Sequence, residues 1–187
     1  MEVKIAISAR HVHLTKEDFE YLFGKEKLTK LKDLTQTGEY ASNEMVSLIT
    51  EKGKIDNVRI IGPLRSYTQV EISKTDSYKL GLNPPVRSSG DLTNSSFITI
   101  EHNGKVITKE CCIIANRHIH VNSKDLDKYN LKDGEVVKLK VSGIKGGILD
   151  NVIIKSSDKY VLEAHLDVDD GNAHLINSGE VGVIINE

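Results

Sequence analysis

Two short stretches hold most of the residues in this chain that could do chemistry. "ARHVHL" begins at Ala9 and "NRHIHV" begins at Asn116. In an extended segment, residues i and i+2 point to the same face, about 6.5–7 Å apart. His11 and His13 therefore share a face, as do His118 and His120, and each pair can close on one metal ion. A single His-X-His is ordinarily a surface or core feature. Here there are two copies, each preceded by arginine, and together they take four of the chain's seven histidines. That repetition points to metal.

His165 lies in "EAHLDVDDGNAH", a strand pattern beside a carboxylate-rich turn, and is a reasonable further ligand. His174 closes the same segment and reads as structural, and His102 in "EHNGK" reads as a solvated turn residue. Imidazole with carboxylate and no thiolate suits zinc, and suits cobalt, nickel or iron less well. One catalytic zinc takes three protein ligands and keeps a position open, so four or five histidines suit two ions better than one. A bridging carboxylate is then expected, as in other two-metal sites. Glu71, in "RSYTQVEIS", is the best candidate; the alternative is an outward-facing strand residue. Nearby, "NVRIIGPLRSYTQVE" holds Arg59 and Arg65. Arginine grips phosphate in a bidentate fork, although both can equally be surface residues. The Gly62-Pro63 turn is placed to aim Arg65 inward.

Short strands must position these groups. "VKIAIS", "VSLIT", "NVRIIG", "QVEIS", "FITIEHNGKVITKE", "CCIIA", "VVKLKVSG", "GILDNVIIK", "YVLEAHLDV" and "VGVIINE" are rich in Val and Ile and bounded by turn residues. Asn103-Gly104 between alternating segments signals a hairpin. Helical signals are few: "LTKEDFEYLFG", a start at Asn122 or Ser123 in "VNSKDLDKYNLKDGE", and a short turn in "SYKLGLNPP" ended by Pro84 and Pro85. Such a pattern suggests barrels or sandwiches. Each Arg-His-X-His is read as ending a strand and is followed by an Asp-containing short helix. This internal repetition implies two similar β-modules, with "SSGDLTNSS" as a loop and a candidate boundary between them.

The totals narrow the function classes. The chain has 187 residues, 39% hydrophobic and 28% charged, with a formal net charge of −2. That is globular composition, and no basic field recruits nucleic acid or an anionic membrane. No apolar run approaches the roughly 18 residues needed to span a bilayer. The start "MEVKIAIS" reads as a strand and not as a signal peptide, so the expected location is the cytoplasm. Cys111 and Cys112 are adjacent, which disfavours a disulfide between them, and they read as reduced strand residues. There is no Cys-X-X-Cys, no Walker loop, no Gly-X-Gly-X-X-Gly and no Gly-X-Ser-X-Gly. Thiolate zinc sites of finger type, nucleotide hydrolysis, Rossmann chemistry and a serine acyl-enzyme therefore lack support.

"SARHVHL", "VRIIGPLRSYTQVEIS", "NRHIHV" and "HLDVDDGNAH" resemble, in order and spacing, the PduL-type phosphate acyltransferases, or phosphate propanoyltransferases. The resemblance covers nearly the whole chain. It implies an enzyme that interconverts acyl-CoA and phosphate with acyl phosphate and free CoA. It also implies a mainly β fold of two small β-barrels capped by short helices. One barrel would comprise residues 1–9 plus 116–187, and residues 10–115 would form the second. The family's two zinc ions would be held by His11, His13, Glu71, His118, His120 and His165, with Glu71 bridging. Its phosphate-contacting catalytic arginine falls on Arg65. Its CoA contacts fall on Ile7, Ser8, Ala9, Arg59 and Asn172, with Lys52 in a loop that varies. Family members often carry Asn at the position of Ala9, a change that a backbone contact to CoA would survive.

Two rival readings stand beside this one. A non-catalytic zinc-binding β-module would close both histidine pairs around structural ions. A metal-dependent hydrolase also begins with His-X-His, but that fold wants a (β/α)₈ barrel of around 250 residues, which neither length nor strand content fits. Acyl preference between propanoyl and acetyl is not readable, nor is the oligomeric state, for which a homodimer is one option. Some family members carry an N-terminal extension directing them to microcompartments; the first expected ligand here lies too close to Met1 to leave room for one.

Overall fold

The structure is a computed structural model in which residues 1–185 are described. It is mainly β. In chain order the elements are β1 (Glu2–Ser8), β2 (His11–His13), α1 (Lys16–Phe23), β3 (Lys30–Asp33), β4 (Tyr40–Ile49), β5 (Lys54–Gly62) and β6 (Gln69–Glu71). Then follow α2 (Lys74–Leu80), β7 (Val86–Arg87), β8 (Ser96–His102), β9 (Lys105–Ala115) and β10 (His118–Asn122). A 3-10 turn (Ser123–Asp125), α3 (Leu126–Tyr129), β11 (Val136–Val141), β12 (Gly147–Ser157), β13 (Glu163–Asp167), α4 (Val168–His174) and β14 (Val181–Ile185) complete it. The last two residues of the expected strand "VGVIINE" lie outside the described residues. No described helix is long and apolar enough to cross a membrane.

The chain divides into two compact units, one of Met1–Ala9 with the chain from Asn116 onward, the other Arg10–Ala115. The first is a closed barrel in the order β1-β13-β10-β12-β11-β14. The second contains a ring of six as well. There β4 pairs β5, β5 pairs β2, β2 pairs β6, β6 pairs β9, β9 pairs β8, and β8 returns to β4. The strands β3 and β7 attach outside that ring, to β4 and β9. "SSGDLTNSS" lies inside the second unit and so marks no boundary.

The two rings repeat one another, pair by pair. The strand β2 runs parallel to β5 and antiparallel to β6, and β10 runs parallel to β12 and antiparallel to β13. Next, β6 is parallel to β9 as β13 is to β1, and β8 is antiparallel to β9 as β14 is to β1. The expected internal repetition is therefore a repetition of ring topology as well as of motif.

Alternation fills each ring. Val3 and Ile5 on β1 are almost fully buried, with Ile119, Val121, Leu139 and Ile154 in the same cluster. Val12, Leu48, Ile60 and Ile100 do this in the other unit, joined by Phe19 and Leu22 of α1. Single-turn devices set the ends. Asn103 and Gly104 take φ of 49° and 81°, the left-handed pair that a type I′ hairpin requires. Thr15 caps α1 by accepting from the Asp18 N–H, and Ser73 and Asp76 cap α2 reciprocally. The helix α2 begins before "SYKL" and stops at Gly81, ahead of the prolines expected to end it, because Gly81 turns left-handed at φ 63°.

The Arg-His-X-His motifs do not end strands. They open new ones, after breaks at Ala9-Arg10 and Asn116-Arg117. These breaks are the points where the chain passes from one compact unit to the other, so β1 and β2, although adjacent in sequence, belong to different rings.

Candidate functional site

Val12 and Ile119, the middle residues of the two His-X-His motifs, are 0% exposed and belong to their barrel cores. Pleating then turns both flanking histidines of each motif to the opposite face. On β2, His11 lies across from Glu71 and His13 from Gln69. His11, His13 and Glu71 bring donor atoms within 4.8 Å of one another. The rings of His11 and His13 meet edge-on at 4.9 Å, and His11 Nε2 is 3.5 Å from a Glu71 oxygen.

The other unit builds a matching group. On β10, His118 lies across from His165 and His120 from Glu163. The donors of His118, His120 and His165 also lie within 4.8 Å of one another. The His118 and His165 rings stack at 5.0 Å and 5°, and Tyr160 stacks on His120 at 3.9 Å. The six residues expected from sequence thus fall into two groups of three. Glu71 and His165 occupy equivalent positions, each opposite the first histidine of its motif.

Tautomers and charge suit both groups to a divalent ion. His13 Nδ1 lies 3.1 Å from the Ile61 carbonyl and His118 Nδ1 lies 2.9 Å from the Asn116 carbonyl. A carbonyl only accepts, so each Nδ1 carries the proton and each Nε2 keeps its lone pair. Burial, then the charges of His11 and Arg65, hold His13 well below the ordinary histidine value. Burial first, then Lys155 and His165, push His118 down to about 3. Both imidazoles are therefore neutral near pH 7, as metal ligands must be.

The same shifts set a pH dependence for the metal-free protein. Below about pH 6.5 the unfolded chain takes up protons that folded His118 and His13 refuse. Stability is full above that value and falls as pH drops toward the depressed folded values, by about 1.4 kcal/mol per pH unit for each such histidine. Denaturant midpoints of metal-free protein between about pH 6.5 and 4 measure this slope. A flat profile would contradict the buried neutral state.

The arginine of each motif has a structural partner that sequence reasoning missed. Arg10 donates from Nε to Asp76 at 2.9 Å, with Nη2 2.8 Å from the same oxygen. Arg117 holds Asp170 with Nε and Nη2 at 2.8 and 2.6 Å. Asp76 and Asp170 are equivalent: each is the third residue of the helix that follows Glu71 or His165. Each donates its backbone N–H to that helix's cap, Ser73 or Asp167. Each arginine therefore ties its histidine strand to the helix following the third donor. Half-exposed pairs of this kind contribute about 1–2 kcal/mol. The helix α4 was itself missed, because "DVDDGNAH" carries Gly171 and reads as a turn. The Asp167-to-Asp170 cap is the signal that would have found it. Gly171 packs closely on Ile7: a Cβ there would come within 2.9 Å of Ile7 Cδ1, so that side chain would have to shift.

Arg65 is held in one plane. Nη1 donates to Tyr67 Oη at 3.0 Å and Ser89 Oγ at 3.1 Å, and Nη2 donates to Glu39 at 3.0 Å. Gln69 joins this arrangement to the donor group. Its Nε2 donates to Glu71 at 2.6 Å and to Ser89 at 2.8 Å, and its carbonyl accepts from the Gly90 N–H. The unbroken chain Arg65–Ser89–Gln69–Glu71 runs from cation to donor carboxylate. Ser89 sits in a stretch read only as a loop, and nothing in its local sequence advertises the role.

The other expected contacts are distributed over the two units. Ile7 and Ser8 end β1, paired with Leu166 and Asp167, with Ala9 just beyond. Asn172 lies in α4, whose Gly171 packs against Ile7. In the other unit, Arg59 sits across from His11 and donates to the Ser42 carbonyl at 2.5 Å. Lys52 lies in the β4–β5 turn, its stem against Gly81. His174 donates from Nδ1 to the Lys145 carbonyl, a structural role. His102 is less solvated than expected, stacking on Phe23 at 3.9 Å. Cys111 and Cys112 are free and buried; burial pushes the Cys111 thiol up to about 12 and the Cys112 thiol higher still. Neither is a nucleophile near neutral pH.

A family model described as phosphate propanoyltransferase matches residues 4–177. The phosphate propanoyltransferase of Thermotoga maritima is 45% identical over 184 residues, covering 97% of this chain and 88% of that protein. That of Priestia megaterium is 47% identical over 184 residues, covering 97% of this chain and 85% of that protein. That of Alkaliphilus metalliredigens is 44% identical over 187 residues, covering 99% and 88%. Likeness of this depth runs through both barrels and spans every donor of both histidine groups, and the chain belongs to the phosphate propanoyltransferase family.

Proposed function

We propose that this chain is a phosphate acyltransferase that interconverts a short-chain acyl-CoA, propanoyl or acetyl, and phosphate with acyl phosphate and CoA. The observation that carries the reading is a planar guanidinium, Arg65, wired through Ser89 and Gln69 to a buried two-histidine, one-carboxylate donor group, in a chain of this family. His11, His13 and Glu71 would hold one zinc ion and His118, His120 and His165 a second, with Glu71 the candidate bridge. When bound, such ions supply Lewis acidity and positive charge for an anionic nucleophile and an anionic leaving group.

The chain's own residues account for the rest. In the forward direction a phosphate oxygen attacks the thioester carbonyl, the carbon–sulfur bond breaks, and the sulfur leaves with the electron pair as CoA thiolate. Both reactants bring negative charge, so phosphate must be held against repulsion. Among the described residues, three of the five Arg65 N–H groups have protein acceptors. That fixes the guanidinium plane and leaves two donors for phosphate. Holding phosphate at one angle beside the thioester supplies much of the acceleration, and the Arg65 charge also stabilises the anionic transition state. Ile7, Ser8, Ala9, Lys52, Arg59 and Asn172 are the proposed CoA contacts. No protein nucleophile is needed, which is consistent with two buried, protonated cysteines.

CoA release from propanoyl-CoA, followed with a thiol reagent with and without phosphate, tests the reaction class. Release that requires phosphate is the expected result. Release without phosphate would make the protein a hydrolase, and no release would make it a structural zinc module. The buried thiols keep the background of this assay low.

A further inference from the structure

We propose that Glu163 is a positioning carboxylate of the His118–His120–His165 group, orienting His165 and offsetting the charge of the ion held there. The inference rests on the two-metal reading above.

The two donor groups are versions of one four-cornered arrangement. Cross-strand pairing sets His11 against Glu71 and His13 against Gln69 in one unit. It sets His118 against His165 and His120 against Glu163 in the other. Because i and i+2 share a face, each set of four lies on one surface of its barrel. The fourth corner differs. Gln69 is 0% exposed, and its amide is engaged by Glu71, Ser89 and the Gly90 N–H. It is a neutral brace for the carboxylate beside it. Glu163 is 7% exposed, and its Oε2 lies 3.3 Å from His165 Nε2. That separation resembles the 3.5 Å between Glu71 Oε2 and His11 Nε2.

Each set of four therefore carries one carboxylate, but at neighbouring corners of the same strand: Glu71 lies across from the first histidine of its motif and Glu163 across from the second. Three imidazoles alone would leave a buried divalent ion with its full charge, and Lys155 adds positive charge near His118. Uncompensated buried charge is costly, whereas a carboxylate facing the non-ligating ring N–H of a ligating histidine both fixes the ring and strengthens the ligand; with Nε2 turned to Glu163, Nδ1 is the His165 nitrogen left for the ion. This explains why an acidic residue is buried at a position where its counterpart is an amide.

The test is Glu163→Gln in the full-length protein, read by zinc titration against a competing chelator. The expected result is two ions in the wild type, with one of them bound about 10–100-fold more weakly in the variant and the other unchanged. Thermal melts of metal-free protein supply the second readout. Glu163→Gln should leave the metal-free melting temperature equal or higher, because a buried carboxylate has been removed. A lower metal-free melting temperature with both zinc affinities unchanged would make Glu163 a packing residue and overturn the proposal, as would a variant that fails to fold. A wild type that binds no zinc would refute the underlying metal reading. Two ions held equally well by wild type and variant would refute only the role of Glu163.

Discussion

Arg65→Ala is expected to lower turnover by about 10²–10³-fold while leaving bound metal and fold intact. Its guanidinium contacts are Tyr67, Ser89 and Glu39. The Glu39 side chain is about a third exposed, so water can replace the lost ion pair. The substitution therefore removes a cation from the reaction region without opening the core. Arg65→Lys should recover only part of the activity. It restores the charge but not the planar fork, and one ammonium cannot satisfy Tyr67, Ser89, Glu39 and phosphate together. Steady-state rates at saturating phosphate and propanoyl-CoA measure the loss. Near wild-type turnover in Arg65→Ala would remove arginine from the proposed chemistry.

Glu71→Ala is expected to act on metal first and activity second. Glu71 is buried and accepts from Gln69 at 2.6 Å, and its second oxygen faces His11. Loss of an outer-shell partner typically costs 10–100-fold in metal affinity. Loss of a ligating carboxylate should cost at least about that, and a bridging one should weaken both ions. Elemental analysis after gel filtration should therefore give fewer than two zinc ions per chain, with turnover falling in proportion. Glu71→Gln separates ligation from packing, because it keeps the side-chain volume but not the charge. Two ions retained at wild-type affinity in Glu71→Ala would exclude a bridging role.

Local chemistry was the legible part of this chain. Alternation around Val12 and Ile119 was enough to set each histidine pair on one face. The Asn103-Gly104 hairpin and the Thr15 and Gly24 ends of α1 followed from turn and cap chemistry. What local chemistry does not contain is which distant strand closes a ring. Ile5 pairs with Ala164, and His118 with His165. Nothing near either member of these pairs specifies the other. For that reason the equivalence of Glu71 with His165 emerged only from register. The Arg10–Asp76 and Arg117–Asp170 pairs, and Glu163 itself, were hidden in the same way. The break before each His-X-His was missed because "AISARHVHL" reads as a continuous extended run. The family resemblance carried the assignment of residues 1–9 and 10–115 to different barrels, but no residue between Ser8 and His11 marks the change of ring by its own chemistry.

The central claim is that the two donor groups serve phosphate-dependent acyl transfer through bound metal. The most direct measurement is acyl phosphate formed from propanoyl-CoA and phosphate, trapped with hydroxylamine, in three samples. These are protein as purified, protein stripped by a chelator with zero metal confirmed by elemental analysis, and stripped protein restored with zinc. The expected result is formation, loss and recovery, with recovery complete at two zinc ions per chain. Undiminished acyl phosphate formation by the stripped protein would contradict the account.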